Sequence, residues 1–261
     1  PSAIYASRAP TPRARLRALE VCGVEIPNAK RSPAARALDG VEWPASFPYS
    51  EADLTPEAGG NDELFYTIPR FVHHAAAEAR AELAAFYTAV LPPGSSVLDL
   101  CSSWTSHLPE GLALKRCVAL GLNPLELLAN PSKTEWRVQN LNRDPALPYP
   151  DASFDAALCA LSVDYLTKPV DVLAEAHRVL RPGGLACMAF TNRCFPSKVV
   201  PVWLRPFTEE SHARVVGTYL RYAAPWAEIG VADVSPDGWA GQRDPMIVVM
   251  ARKAGGEKGT P

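Results

Sequence analysis

Short apolar runs alternate with amphipathic stretches along the chain after residue 73. Each run is as long as one strand, and the clearest read SVLDL from Ser96, RCVALG from Arg116, FDAALCA from Phe154 and LACMAF from Leu185. Such runs are typical of parallel strands that are covered on both faces. Apolar residues at helical spacing fill 73–91 and 169–181, and a Pro-Gly turn follows each stretch. The pattern predicts an α/β fold with a doubly wound, largely parallel sheet and helices on both faces.

Weaker signals complete this prediction. A strand is expected near 136–139, with helices over 124–129 and 208–222 and further strands over 227–234 and 246–251. Together with the four clear runs, these elements predict a seven-stranded type of sheet.

Residues 1–64 have a different composition from the rest of the chain. Prolines and glycines are frequent there, and Trp43, Phe47 and Tyr49 are interleaved with prolines. This composition predicts an irregular extension whose aromatic side chains need a partner surface, either on the protein's own domain or on another subunit of a larger assembly. The predicted division is an extension over 1–64, one domain over 65–253 and a flexible tail over 254–261.

Charge and cysteine usage narrow the class of protein. The 261 residues carry a formal net charge of -2, so the sequence predicts no binding of nucleic acid. Charges or prolines interrupt every apolar run, so no membrane span is expected. The six cysteines contain no CxxC pair and are predicted to be reduced, in an intracellular compartment. Residues 1–19 contain arginines but no acid, which is typical of a transit region for a chloroplast or mitochondrion, or of a flexible basic arm.

Three segments occur in an order that resembles a known family. They read SVLDL, then ALPYPDASFDAALCALSVDYLTKP, then AHRVLRPGGLACMAF. Together they resemble the class I S-adenosylmethionine (SAM) dependent methyltransferases of the methyltransferase domain 11 group, over about 160 residues. The resemblance implies a Rossmann-like fold and SAM as the cofactor, bound beyond the carboxyl ends of the strands.

The glycine-rich turn of that family is divergent in this chain. The resemblance aligns its three glycines with Cys101, Ser103 and Thr105, directly after the first-strand acid Asp99. In the family these glycines let the backbone approach the cofactor, because a side chain there would fill the space. A narrower or reshaped pocket is therefore expected, with Trp104 either stacking on a ligand or plugging the cleft.

The family's second landmark is an acid at the end of the second strand, which binds the ribose. The aligned residue here is Gly121, with Asn123 and Glu126 nearby, and restoring an acid at Gly121 is expected to strengthen SAM binding. The third landmark, a polar residue beside the adenine, is assigned to Asn142 in preference to Asn140 or Asp144. The predicted cofactor-binding residues are Asp99, Cys101, Ser102, Ser103, Trp104, Asn123, Asn142 and Ser162.

Two functions of different class follow from these residues. One is a SAM-dependent methyltransferase with a weak cofactor pocket and an unidentified acceptor, in which positioning supplies much of the rate without a dedicated base. The other is a non-catalytic, pseudoenzyme subunit of this fold that docks into a protein complex through residues 1–64. The sequence shows no metal-ligand spacing, and it indicates no catalytic residue.

Overall fold

The architecture is that of a computed structural model, which describes residues 18–57, 62–205, 208–238 and 244–256. The arginines before residue 18 and most of the predicted tail lie outside these ranges, so organellar targeting stays a prediction. Within the described ranges, no helix combines the length and the apolar character that crossing a membrane requires.

Nine strands and six α-helices are described. The strands are β1 (Leu19–Val21), β2 (Val24–Ile26), β3 (Ser96–Leu100), β4 (Arg116–Gly121), β5 (Glu135–Val138), β6 (Phe154–Ala160), β7 (Leu180–Phe190), β8 (Trp226–Asp233) and β9 (Ile247–Lys253). The helices are α1 (Glu51–Leu54), α2 (Asp62–Phe65), α3 (Ala77–Val90), α4 (Pro124–Ala129), α5 (Pro169–Val179) and α6 (Glu209–Ala223).

Seven strands form one sheet in the order β5-β4-β3-β6-β7-β9-β8. The first five pair in parallel, and β9 pairs antiparallel with both β7 and β8. The chain moves outward through β4 and β5, then returns to the other side of β3 for β6 and β7, so the switch point lies at β3. The predicted doubly wound, largely parallel sheet is confirmed, and β3, β6 and β7 lie side by side in it.

Two element boundaries differ from the prediction. The helix expected from residue 73 begins only at Ala77, because the N–H of Ala76 is bound by the Asp244 carboxylate at 2.6 Å and the preceding residues run along the surface. The Pro-Gly turn expected to separate α5 from the next strand lies inside β7, because Leu180 already pairs with Phe154.

The predicted irregular extension is partly ordered by the domain itself. β1 and β2 form a hairpin whose turn residue Cys22 is fully buried, at a backbone φ of 51°. The strands are only three residues long, which is too short for alternation to reveal them. Phe47 and Tyr49 pack on Tyr219 of α6 at ring distances of 6.3 and 5.9 Å, so their partner surface is the protein's own domain.

One arginine of α5 connects two of the recognised segments. Arg178 donates through Nη1 to the carbonyl of Tyr149 at 2.8 Å and through Nη2 to the carbonyl of Leu147 at 2.9 Å. It also pairs with Asp151 and Glu175, each at 2.7 Å. The LPYPD loop before β6 is therefore held by the helix that precedes β7.

Candidate cofactor site

A cavity of about 350 Å³ opens at the carboxyl ends of the parallel strands. Its walls come from the segments after β3, β4, β5, β6 and β7, and its roof comes from 62–74. We call this last segment the cover. The volume lies at the lower end of the range usual for small-molecule sites, and the switch point is where this type of sheet binds ligands.

The loop after β3 is fixed from below by buried polar groups. Ser102 donates its hydroxyl to Asp99 at 2.5 Å and its N–H to the carbonyl of Leu120 at 2.7 Å. Asn130 donates to the carbonyl of Ser103 at 3.0 Å and to the hydroxyl of Ser106 at 2.8 Å. Asn130 was missed by the sequence analysis, because an Asn after a short helix also fits a simple turn. The loop is thus a rigid wall of the cavity.

Asp99 supports this wall and does not line the cavity. It lies in the centre of the sheet, 2% exposed, and burial raises the pKa of its carboxyl to about 6 despite hydrogen bonds from Ser102 and Ser106. Any effect of Asp99 on a ligand would pass through the loop that it holds.

Gly121, at the end of β4, lies in close contact with the same loop. A Cβ atom added at Gly121 would lie 2.0 Å from the carbonyl oxygen of Ser102, which is backbone and cannot swing aside. This contact argues against the expectation that an acid at Gly121 would strengthen SAM binding. The absence of an acid at position 121 and the altered loop after β3 go together, because the backbone of this loop occupies the space that a side chain at position 121 would need.

Asn123 caps the helix that follows β4 and has all its polar groups in use. Its Oδ1 accepts from the N–H groups of Leu125 and Glu126 at 2.9 and 3.1 Å, and its Nδ2 donates to the carbonyls of Tyr66 and Thr67 in the cover. Asn123 lines the cavity but has no group left for a ligand while the cover is in this position.

Glu126, in the first turn of α4, brings a carboxylate to the cavity five residues after Gly121. The residue is 7% exposed, and it accepts from the hydroxyl of Ser103 and from the backbone N–H of Arg70, both at 2.6 Å. Carboxylates that accept two hydrogen bonds retain further lone pairs. Glu126 is thus the acid in the cavity wall that lies closest in sequence to the family's ribose position.

On the β5 side of the cavity, the Asn142 side chain already makes hydrogen bonds within the protein, whereas one polar atom of the Gln139 side chain makes none. Asn142 donates to Asp62 and to the carbonyl of Tyr165, both at 2.9 Å, and accepts from Thr167 at 2.8 Å. The Oε1 atom of Gln139 is buried without a hydrogen-bond partner, and Gln139 lines the cavity. Gln139 ends the strand predicted near 136–139 and is not among the predicted cofactor-binding residues.

Of the eight predicted residues, six line this cavity: Cys101, Ser102, Ser103, Asn123, Asn142 and Ser162. Asp99 lies behind the wall, and Trp104 packs outside it. The Trp104 ring lies 4.6 Å from that of His73, and its Nε1 donates to the carbonyl of Val72 at 3.3 Å. That these residues bind a cofactor stays a prediction.

The cover contributes residues that the sequence analysis did not select. Tyr66, Arg70 and His74 line the cavity beside Phe195, which follows β7. The Arg70 guanidinium lies 4.3 Å above the Phe65 ring, and its Nη1 atom is buried without a hydrogen-bond partner. Tyr66, Arg70 and His74 form no recognisable motif, so the sequence indicated only that they precede α3.

Comparison with known proteins shows which proteins this chain is similar to. The family model described as a methyltransferase domain matches residues 103–188. Over these residues the chain is similar to class I SAM-dependent methyltransferases. Demethylmenaquinone methyltransferase of Staphylococcus epidermidis is 32% identical over 108 residues, which cover 38% of this chain and 44% of that protein. The C-methyltransferase UbiE of Dinoroseobacter shibae, of ubiquinone and menaquinone biosynthesis, is 32% identical over 91 residues, covering 33% and 35%.

The chain thus spans less than half the length of these curated relatives. Among solved structures, the [4+2]-cyclase SpnF superposes with a TM-score of 0.51 at 18% identity, over 72% of this chain and 90% of that one. At this identity the likeness shows the fold alone, and a fold does not determine the reaction.

The match to a methyltransferase domain indicates SAM as the cofactor. The cavity suits it in place and in polarity, since hydroxyl, amide and carboxylate groups line it. The cavity departs from the family at position 121, where the ribose-binding acid is replaced by Gly121 and the structure leaves no space for a side chain. SAM, when bound, supplies a methyl group on a positively charged sulfur.

Proposed function

We propose that this domain binds SAM weakly in the cavity and transfers its methyl group to a small acceptor. The observation that carries the proposal is the cavity itself, which lies at the switch point and presents hydroxyl, amide and carboxylate groups from the segments after five strands. A domain that had lost its ligand would be expected to fill this space with apolar side chains.

Weak SAM binding is expected because the acid that accepts hydrogen bonds from the ribose in the family is absent at position 121, and the acid of the cavity wall nearest to it in sequence is Glu126. Losing a charge-assisted hydrogen bond costs roughly 1.5–3 kcal/mol, which corresponds to about one to two powers of ten in affinity. Glu126 offsets part of this loss when a ribose replaces the hydroxyl of Ser103 as its donor. The side chains of Cys101 and Ser103 also occupy space that glycines would leave open.

The acceptor is expected on the β6–β7 side of the cavity. Tyr165, Cys194 and Phe195 line that side, and His74 packs on the Phe195 ring at 5.3 Å. Burial lowers the pKa of His74, so its ring is neutral near pH 7 and can accept a proton from the acceptor. Holding the acceptor in line with the sulfonium would supply much of the rate.

Calorimetric titration with SAM and with S-adenosylhomocysteine tests this proposal. We expect a Kd weaker than micromolar for the unmodified protein, and at least a ~10-fold further loss in Glu126→Gln. Glu25→Gln is the matched control, because Glu25 is exposed on β2, away from the cavity. Micromolar or tighter binding would contradict the weak pocket, and no binding at millimolar ligand would contradict the proposal as a whole.

A non-catalytic docking role is the second candidate, and two observations favour it. The cover already occupies polar groups of Asn123, Asn142 and Glu126. Large apolar side chains are also exposed on the cover and on the neighbouring α4–β5 edge, namely Leu64, Ile68, Phe71, Val72, Leu125, Leu128, Trp136 and Val138.

The test of docking must use point variants instead of the removal of residues 1–64. That removal would strip Phe47, Tyr49 and the β1–β2 hairpin from the protein's own core. If docking is the role, Leu128→Glu should abolish association with a co-purifying partner and leave the stability of the domain unchanged. If association persists in this variant, the edge is not the docking surface.

A further inference from the structure

One cation that lines the cavity has no ion-pair partner among the residues that the structure describes. The backbone N–H of Arg70 is bound by Glu126, but its side-chain Nη1 is buried and makes no hydrogen bond. Among the residues that the structure describes, no carboxylate lies within ion-pair distance of this guanidinium. A buried guanidinium donor without an acceptor is costly, so its presence calls for an explanation.

The other cations near the cavity are balanced. Lys198, 4% exposed, pairs with Asp62 at 2.5 Å. Arg193 pairs through Nε with Asp244 at 2.8 Å. Among the residues that the structure describes, Arg70 is therefore the arginine of the cavity wall that has no ion-pair partner.

Arg70 is also held in a fixed orientation. Its guanidinium carbon lies 4.3 Å from the centre of the Phe65 ring, 5.7 Å from that of Tyr66 and 5.9 Å from that of Phe195. Stacking on aromatic faces leaves the N–H groups at the edge of the plane free to donate in that plane. Such an arrangement suits a planar anion that approaches edge-on.

We propose that Arg70 is the anion-binding residue of this cavity and that its ligand is a carboxylate. A carboxylate carries one charge and matches one guanidinium in a bidentate geometry. A phosphate group carries about two charges at neutral pH, and a single unbalanced arginine would leave one of them uncompensated. The inference rests on the proposed function only for the source of the carboxylate, which is either SAM itself or the methyl acceptor.

Three titrations distinguish these sources. The ligands are SAM, decarboxylated SAM, and benzoate as a plain carboxylate, with benzoate titrated both alone and with saturating S-adenosylhomocysteine. The proteins are the unmodified chain, Arg70→Gln, Arg70→Lys, and Arg221→Gln as the control, because Arg221 is exposed on α6. Thermal unfolding checks that each variant is folded.

If Arg70 binds the cofactor's carboxylate, the unmodified protein should bind decarboxylated SAM about 10- to 100-fold more weakly than SAM, and Arg70→Gln should remove this difference. If it binds the acceptor, Arg70→Gln should leave SAM binding unchanged and abolish benzoate binding. In either case Arg70→Lys should retain an intermediate affinity, because lysine keeps the charge and loses the planar fork.

The inference is overturned if neither the preference for SAM nor the binding of benzoate depends on Arg70. Failure of the proposed function gives a different result. A protein that binds no SAM but binds benzoate through Arg70 would refute SAM binding and support the carboxylate site.

Discussion

Substituting Gly121 by alanine should destabilise the protein, even though it adds only one methyl group. The added Cβ would lie 2.0 Å from the carbonyl oxygen of Ser102 and 3.2 Å from a methyl of Leu127. Relief requires the loop to move, which breaks the bond from Ser102 N–H to Leu120 and strains the bond from its hydroxyl to Asp99. Overpacking costs about 1–3 kcal/mol, and each lost hydrogen bond about 1 kcal/mol, so a total loss of roughly 2–5 kcal/mol is expected.

Urea unfolding at fixed pH measures this loss, and two other glycines calibrate it. An added Cβ at Gly230 would meet the end of the Val21 side chain at 2.7 Å, and one at Gly255 would meet nothing within 4 Å. The free energy of unfolding should therefore fall most for Gly121→Ala, less for Gly230→Ala, and by less than about 0.5 kcal/mol for Gly255→Ala.

The same contact predicts that Gly121→Asp will be at least as unstable as Gly121→Ala and will not gain affinity for SAM. If Gly121→Ala unfolds within about 0.5 kcal/mol of the unmodified protein, the loop does not lie against β4 as described. Tighter SAM binding by Gly121→Asp would refute the same contact.

Three further predictions follow from buried or bridging groups. Arg178→Ala should lose about 1–3 kcal/mol of unfolding free energy, measured in urea against Arg221→Ala, and an equal loss in both variants would rule out the bridging role. Burial raises the pKa of Asp164 to about 8, so the folded protein keeps a proton that the unfolded chain loses above pH ~4. The free energy of unfolding should then fall as the pH rises from 5 to 8, and Asp164→Asn should reduce this fall by about 2 kcal/mol or more. If the pH dependence of the unfolding free energy is the same in Asp164→Asn, the pKa of Asp164 is not raised. Under native conditions iodoacetamide should label Cys101 and Cys194, which are half-buried, before the four buried cysteines. Mass spectrometry without reductant should find six free thiols. A native disulfide, or early labelling of a buried thiol, would contradict this prediction.

The sheet could be predicted from the sequence because its strands are short apolar runs with clear ends. Ser96–Leu100, Arg116–Gly121 and Phe154–Ala160 have the predicted bounds. Periodicity and turn residues report local geometry, and in this fold local geometry nearly determines the order of elements. The hairpin at residues 19–26 was not predicted, because its stability comes from packing on β8 and β9.

The site could be predicted only where it is built from strand ends. Cys101, Ser102 and Ser103 follow β3 directly, so any sheet of this type brings them to the switch point. Arg70 required the tertiary structure, because it lies in the cover. Glu126 could be noted from the sequence only as an acid near Gly121, because its segment has the sequence of an ordinary helix start, and the tertiary structure was needed to show that its carboxylate faces the cavity. The effect of Gly121 also depends on a contact between two segments, which no single position in the sequence reveals.

The bridge made by Arg178 bears on how chains of this type can diverge. Two of its acceptors, at residues 147 and 149, are backbone carbonyls, which remain acceptors whatever side chain the residue carries. The donor cannot be exchanged so freely, because a lysine has one nitrogen and cannot reach acceptors on both sides of a planar fork. Substitutions at residues 147 and 149 should therefore leave these two hydrogen bonds in place, whereas replacement of the guanidinium at position 178 would remove both and separate the two segments.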